Sequence, residues 1–178
     1  MNIFYLNNNP KLCAVEHVDK HCVKMILEYA QLLSTAHRVI DGTAVSLRRA
    51  TTGRKYTTYR LDDNRDSVLY SATHINHPSA IWVRKSDSNY KWLYYLLVNL
   101  CHEYTYRYGK IHKTAGMLDV LGETPKNIPI GEFTEPTPAM PDKYKVAGDS
   151  IQSYKNYYLG DKERMFSWKN RPQPNWIS

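Results

Sequence analysis

Residues 10 to 40 constrain the fold more than any other stretch. The segment opens at Asn9-Pro10, where proline suits the first helical position. At about 100° per residue, Val15, Val18, Cys22, Met25, Ile26, Tyr29, Leu32, Leu33, Ala36 and Ile40 gather on one side. One helix from about Pro10 to Ile40, stopped near Asp41-Gly42, is predicted, and its stripe requires covering elements. The opposite side carries His17, His21, Lys24 and Glu28 in a row that continues through Gln31 and Thr35. Two imidazoles, an amine and a carboxylate on one rigid element are the groups that acid/base or imine chemistry requires. A solvated face with incidental histidines has the same pattern, so the row alone does not fix a function.

Residues 2–6 are apolar and read as an extended lead-in. No sustained period runs through 43–73, which is too long for a simple connection and reads as a lid or binding loop. After Thr73-His74-Ile75-Asn76-His77-Pro78 and the apolar Ala80-Ile81-Trp82-Val83, a second long helix is predicted over Asn89 to Tyr108. It starts near Ser86 to Ser88 and ends at Gly109, with Trp92, Leu93, Leu96, Leu97, Leu100 and Tyr104 as its apolar face. A short helix is expected near Thr114 to Leu121, then a proline-rich surface strap over 122–148. A last helix should run from Asp149 or Ser150 towards Trp168, with Gly160 as its weak point. With 178 residues and 42% hydrophobic content the chain is sized for one buried core. The expectation is an all-α fold in a single domain over 1–178, with two long helices, a long irregular loop and the strap.

No stretch approaches the apolar length of a membrane span, and the N-terminus lacks an apolar run flanked by basic residues. A cytoplasmic protein with no membrane partner is expected. Cys13, Cys22 and Cys101 have no paired spacing and read as small core residues. The formal charge of +7 favours an anionic partner. Arg48, Arg49, Arg54, Lys55, Arg60 and Arg65 crowd one segment beside Tyr56 and Tyr59. Lys143, Lys145, Lys155, Lys162, Arg164, Lys169 and Arg171 run through the C-terminal part beside Tyr144, Tyr154, Tyr157, Tyr158 and Trp168. Cations next to aromatic faces suit unpaired bases and phosphates, so DNA or a nucleotide is the expected partner. Tyrosines packing their rings while lysines reach water is the competing reading.

Taking Trp92 as zero, Glu103 falls at about 20° and Arg107 at about 60° on the helical wheel, within the stripe that should be buried. Burying an ion pair gains little stability, so a polar cavity or ligand site is expected there. The histidines form two close pairs, His17 with His21 and His74 with His77. With Glu28 or Glu103 these four could hold a divalent metal, but the glutamate of His-Glu-x-x-His is missing, and the primary expectation is no cofactor. Without a metal the same groups serve glycosidic cleavage. A histidine shuttles the proton, Lys24 or Lys20 forms an imine, and Glu28 or Glu103 stabilises a cationic sugar. No Ser or Cys nucleophile motif, phosphate-binding Gly-rich loop or dinucleotide fingerprint is present, which sets aside kinase, nucleotide-hydrolase and dehydrogenase chemistry.

The order of a short N-terminal lead, a first helix, an Asn-His-Pro turn and a second helix ending Glu-Tyr-Thr-Tyr-Arg-Tyr-Gly-Lys resembles the pyrimidine-dimer DNA glycosylase (endonuclease V) family. Over its full length the chain is more similar to a set of small tailed-phage proteins. The residues that carry this are Asp19-Lys20-His21, Lys24-Met25-Ile26-Leu27-Glu28, Thr73-His74-Ile75-Asn76-His77-Pro78 and a closing Tyr-Tyr with Trp-Lys-Asn-Arg. The glycosylase resemblance implies a compact all-helical fold that kinks DNA, flips a base and cleaves the glycosidic bond through an imine. It implies an attacking α-amine on a small residue exposed by removal of the initiator methionine, assisted by a glutamate on the first helix. Here Asn2 follows Met1, and residues 20 to 24 hold Lys20, His21 and Lys24 but no glutamate.

The reading that follows is a phage-type, glycosylase-like enzyme acting on the glycosidic bond or base of a damaged or modified pyrimidine in DNA, in the host cytoplasm. His21, Lys24, Glu28, His77 and Glu103 are the expected catalytic residues. Lys20, His17, His74, Trp82, Tyr104, Arg107 and His112 are the expected substrate contacts. Two alternatives stand beside it: pyrimidine hypermodification or nucleotide processing, and non-catalytic binding of a nucleotide or host factor.

Overall fold

The computed structural model describes residues 1–177. The expected first helix is two. Helix α1 (Pro10–Glu16) is capped by Asn9, whose side chain accepts from the backbone N–H of Lys11 and Leu12. The chain then turns extended at His17 and Val18 before α2 (Asp19–Asp41) begins. The break is held from outside, because the Asp19 N–H donates to Ser167 O at 2.8 Å. Gly42 ends α2, and its site is too close to Arg38 O for any side chain.

The segment expected to be irregular contains an antiparallel hairpin. Strand β1 (Thr43–Arg48) pairs with β2 (Lys55–Arg60), from Thr43 opposite Arg60 to Arg48 opposite Lys55. Val, Leu, Thr and Tyr side chains suit a pleated ribbon. The turn is closed by Gly53 N–H donating to Arg49 O, with Gly53 in the left-handed region at φ 65°. Helix accounts for 52% of the chain, so the fold is mostly helical, but the hairpin takes it out of the all-α class. After the ribbon come α3 (Arg65–Val68), α4 (Pro78–Lys85) and α5 (Asp87–Tyr108). Ser86 caps α5 by accepting from the Asn89 N–H, and Gly109 ends it at φ 65°. A 3₁₀ turn leads into α6 (Leu118–Leu121). Helix α7 (Ser150–Tyr157) is followed by a π turn over 158–162 and a 3₁₀ turn over 163–165.

The core lies where α1, α2, α4 and α5 pack together around the apolar stripes of α2 and α5. Ile3, Phe4, Tyr5 and Leu6 thread through it with at most 5% exposure. The Phe4 N–H donates to the Tyr29 hydroxyl, and Trp92 Nε1 donates to Asn8 O. The strap ties down the α4–α5 corner, where Asp87 N–H donates to Pro129 O, Ser86 Oγ to Glu132 O and Trp82 Nε1 to Thr134 O. Buried arginines hold the base of the hairpin. Arg38 donates to Tyr59 O, Leu69 O, Tyr70 O and Asp66, and Arg65 bridges Asp41 and Asp63.

Candidate active site

Helical spacing keeps His21, Lys24 and Glu28 on one face of α2, and the fold brings the start of the chain onto that face. The Met1 amino group lies 3.3 Å from Glu28 Oε2, while Lys24 Nζ lies 3.2 Å from Glu28 Oε1. One carboxylate is thus flanked by two amines. A cavity of about 160 Å³ opens here, lined by Met1, Asn2, Phe4, His21, Lys24, Met25, Glu28, Tyr157 and Lys162. That is below the ~300 Å³ at which sites for whole small molecules begin. It has room for a sugar or one ring while the rest of a polymer stays outside. Three amines to one carboxylate favour an anionic ligand, and Phe4 and Tyr157 supply aromatic faces.

His21 is stacked on Phe4, with ring centroids 4.1 Å apart, and its Nδ1 lies 2.6 Å from the Tyr158 hydroxyl. Burial, reinforced by the charges of His17, Lys162 and Lys24, pushes its pKa down to about 3, so the ring is neutral at physiological pH. Tyr158 is buried behind His21 and Lys162 lines the cavity where α7 gives way to a π turn, a geometry that recurs at functional sites. Gly160 makes this possible, since a side chain there would collide with the Tyr144 ring.

The Thr73–His77 turn joins the same row from another direction. Thr35 Oγ1, two turns beyond Glu28 on α2, accepts from the Thr73 N–H at 3.2 Å, and Arg84 Nη2 donates to Ile75 O at 2.7 Å. His77 caps α4, its Nδ1 accepting from the Ser79 N–H, which leaves Nε2 free of that duty. Its pKa is lowered by burial first, then by the Met1 amine and His74, against an opposing pull from Glu28. His77 itself is not among the residues that line the Glu28 cavity. His74 is exposed at φ 49°, with Nδ1 2.7 Å from Thr73 Oγ1.

Other expected site residues go elsewhere. His17 is wholly buried: its Nδ1–H donates to Cys13 O and its Nε2 accepts from the Tyr29 hydroxyl, both at 2.7 Å. Burial lowers its pKa to about 4, and with both nitrogens bonded it braces the α1–α2 break rather than meeting a ligand. The alternative metal set of His17, His21, His74 and His77 does not assemble. Among the described residues no group of three or more His, Cys, Asp or Glu side chains could hold a metal ion.

Glu103 and Arg107 are buried as their angles required, but their partners are protein. Arg107 donates to Glu103 Oε1, Asp19 Oδ1, His17 O and Val15 O, and Arg171 bonds both oxygens of Glu103. Burial opposes ionisation of Glu103, and hydrogen bonds from Arg171 and Arg107 more than offset it, keeping the carboxyl below its ordinary range. The pair ties α5 to the α1–α2 break and to the tail. Trp82 packs against Trp92 and Phe133. His112 caps the 3₁₀ turn through Thr114 N–H, and Tyr104 packs on His112 and Tyr108. Lys20 is exposed and outside the Glu28 cavity.

Sequence reasoning missed Met1, Phe4, Tyr157 and Lys162 as lining of the Glu28 cavity and Tyr158 as the partner of His21. Tyr157, Tyr158 and Lys162 belong to the basic, tyrosine-rich C-terminal cluster, and the family resemblance had pointed to an α-amine. A larger cavity of about 580 Å³, lined by His37, Asp63, Arg65, Asp119, Glu123 and Lys126 among others, lies at the far end of α2. Its His37 is bonded on both ring nitrogens, to Arg65 and Tyr90. No family model matches the chain, and neither a curated protein nor a solved structure matches it. No helix among the described residues is long and apolar enough to cross a membrane.

Proposed function

We propose that this protein acts on DNA at the glycosidic bond of a damaged or modified pyrimidine, with the cavity around Glu28 as the reacting site. The observation that carries this reading is the placement of two amines within 3.3 Å of one carboxylate, beside an imidazole kept neutral by burial. Glu28 takes a proton from the neighbouring ammonium, freeing its lone pair to attack C1′ of an extruded nucleotide. The C–N bond to the base breaks, its electron pair leaves with the base, and the proton held by Glu28 is relayed through His77 or His21 to the base, which leaves Glu28 a carboxylate again. One proton on the adduct nitrogen then passes to O4′ as the C1′–O4′ bond breaks and the nitrogen lone pair forms the C=N bond, opening the sugar to a protonated imine with the Glu28 carboxylate opposite its charge. Lys162 answers the phosphate charge at the mouth. The small cavity volume fits a reaction at the sugar, with the duplex outside.

Borohydride trapping on duplexes carrying an abasic site or a pyrimidine dimer tests this. A covalent adduct is expected, and peptide mapping assigns it to the Met1 amine or to Lys24. Glu28→Gln should lower the trapping rate by about 10²-fold or more. No adduct and no strand cleavage on either duplex would overturn the proposal. Nucleoside analysis of treated DNA should show loss of a base; gain of a substituent would mean hypermodification instead.

A further inference from the structure

The β1–β2 hairpin has no role in the chemistry above, yet it is the most one-sidedly charged part of the fold. From Thr43 to Leu61 there is no acidic residue, and Arg48, Arg49, Arg54, Lys55 and Arg60 are all exposed. Arg48 stands directly across from Lys55, and Arg49 N–H donates to Arg54 O, so two successive facing pairs at the outer end are cation against cation. Like charges in facing positions destabilise a ribbon. Arg60 at the base has Asp66 as a partner. By contrast Arg48 bonds only Gly53 O and Arg49 rests over the Tyr56 ring, and among the described residues neither they nor Arg54 and Lys55 form an ion pair. Among the described residues nothing neutralises that end, and a polyanionic partner would supply the counter-charge.

The dimensions narrow the partner further. Two six-residue strands extend about 20 Å from the end of α2. A two-stranded ribbon has the cross-section that the major groove of B-DNA admits. We infer that the hairpin is a DNA-docking arm that enters the major groove of a duplex and sets its cationic end between the phosphate backbones. This rests on the reading of the protein as DNA-acting and adds where the duplex lies. Fourteen residues of α2 separate Glu28 from Gly42, about 21 Å along the helix. That distance, about six base-pair steps, separates Glu28 from the base of the arm, and the cationic end lies farther out along the ribbon.

Binding of the full chain to a labelled 20-base-pair DNA duplex, measured across salt concentrations, tests the inference. The variant Arg48→Ala/Arg49→Ala/Arg54→Ala/Lys55→Ala should bind at least ~10-fold more weakly at 0.1 M salt. Its log K against log salt slope should be shallower by about 3 to 4. Replacing the three arginines by lysine keeps the charge and should leave the slope unchanged, and circular dichroism checks that each variant is folded. Should the fourfold variant not fold, Arg54→Glu/Lys55→Glu at the exposed end carries the same expectation of weakened binding. An unchanged slope and affinity would overturn the inference. So would an equal loss on duplex RNA, whose deep, narrow major groove excludes a ribbon. Trapping on an abasic duplex separates this from the catalytic reading: an adduct with an unchanged salt slope removes the arm alone, and a changed slope without an adduct removes the chemistry alone.

Discussion

Histidines at i, i+4 on one apparent stripe have opposite fates here. His17 has both nitrogens occupied inside the core, while His21 is neutral at the edge of a cavity. For His77, whose pKa is lowered by burial, the neighbouring amine and His74, the neutral form persists below the ordinary 6.5. Any step using neutral His77 should therefore decline only at pH values below about 6.5. His77→Gln should remove that acid limb from the trapping rate profile, whereas a limb unchanged in His77→Gln would assign it to another group. Arg107 tests the opposite assignment, a brace and not a ligand clamp. Arg107→Ala leaves Glu103 and Asp19 with fewer partners in a buried setting and should cost about 3–5 kcal/mol in denaturant unfolding. Residual trapping per folded molecule should be near that of the parent protein. The angular position of the pair was legible in the sequence, since a helical period fixes direction; the identity of what it faces was not, since His17 O, Val15 O and Arg171 are remote in the chain.

At the scale of elements, two interruptions matter most. The predicted Pro10–Ile40 helix breaks at His17, because the side-chain bond to Cys13 O and the Asp19–Ser167 contact outweigh the local preference to continue. Neither partner could be read from the apolar stripe, which runs through both helices. The predicted C-terminal helix gives way at Tyr158 to a π turn that contains Gly160, the residue that the sequence marked as weak. Gly160→Ala would push the Tyr144 ring aside and should cost about 1–3 kcal/mol, as overpacking does. Because Lys162 shares that turn, trapping should fall even at temperatures where circular dichroism shows the variant folded. The hairpin escaped sequence reading for a different reason: the two-residue alternation covers only Val45 to Arg48 in β1 and is absent from β2, too short a signal in strands that stay largely exposed.

Across the whole molecule, three neutral histidines make stability depend on pH. Burial is the leading cause for each: His17 and His37 are lowered to about 4, and His21 to about 3. The unfolded chain takes up these protons near 6.5, while the folded chain does so only lower down. Stability is therefore full above pH 6.5 and is lost as pH falls towards 4. Each histidine should contribute about 2 kcal/mol of that loss by pH 5. Urea midpoints measured from pH 7.5 to 4.5 should show the decline, and a flat profile would contradict the burial of the three rings. His37→Gln should reduce the slope, because one fewer group takes up a proton on unfolding.

What the sequence by itself determined is local. The two long apolar stripes and the row His21, Lys24, Glu28 follow from covalent spacing at 3.6 residues per turn, and the caps at Ser86 and Gly109 and the strap follow from the backbone chemistry of serine, glycine and proline. Only the tertiary structure decided which polar groups meet. Met1, Glu28, Tyr157 and Lys162 come from separate parts of the chain, and their encounter depends on the buried passage of residues 3–6, the π turn and the packing of α2, not on any short-range period.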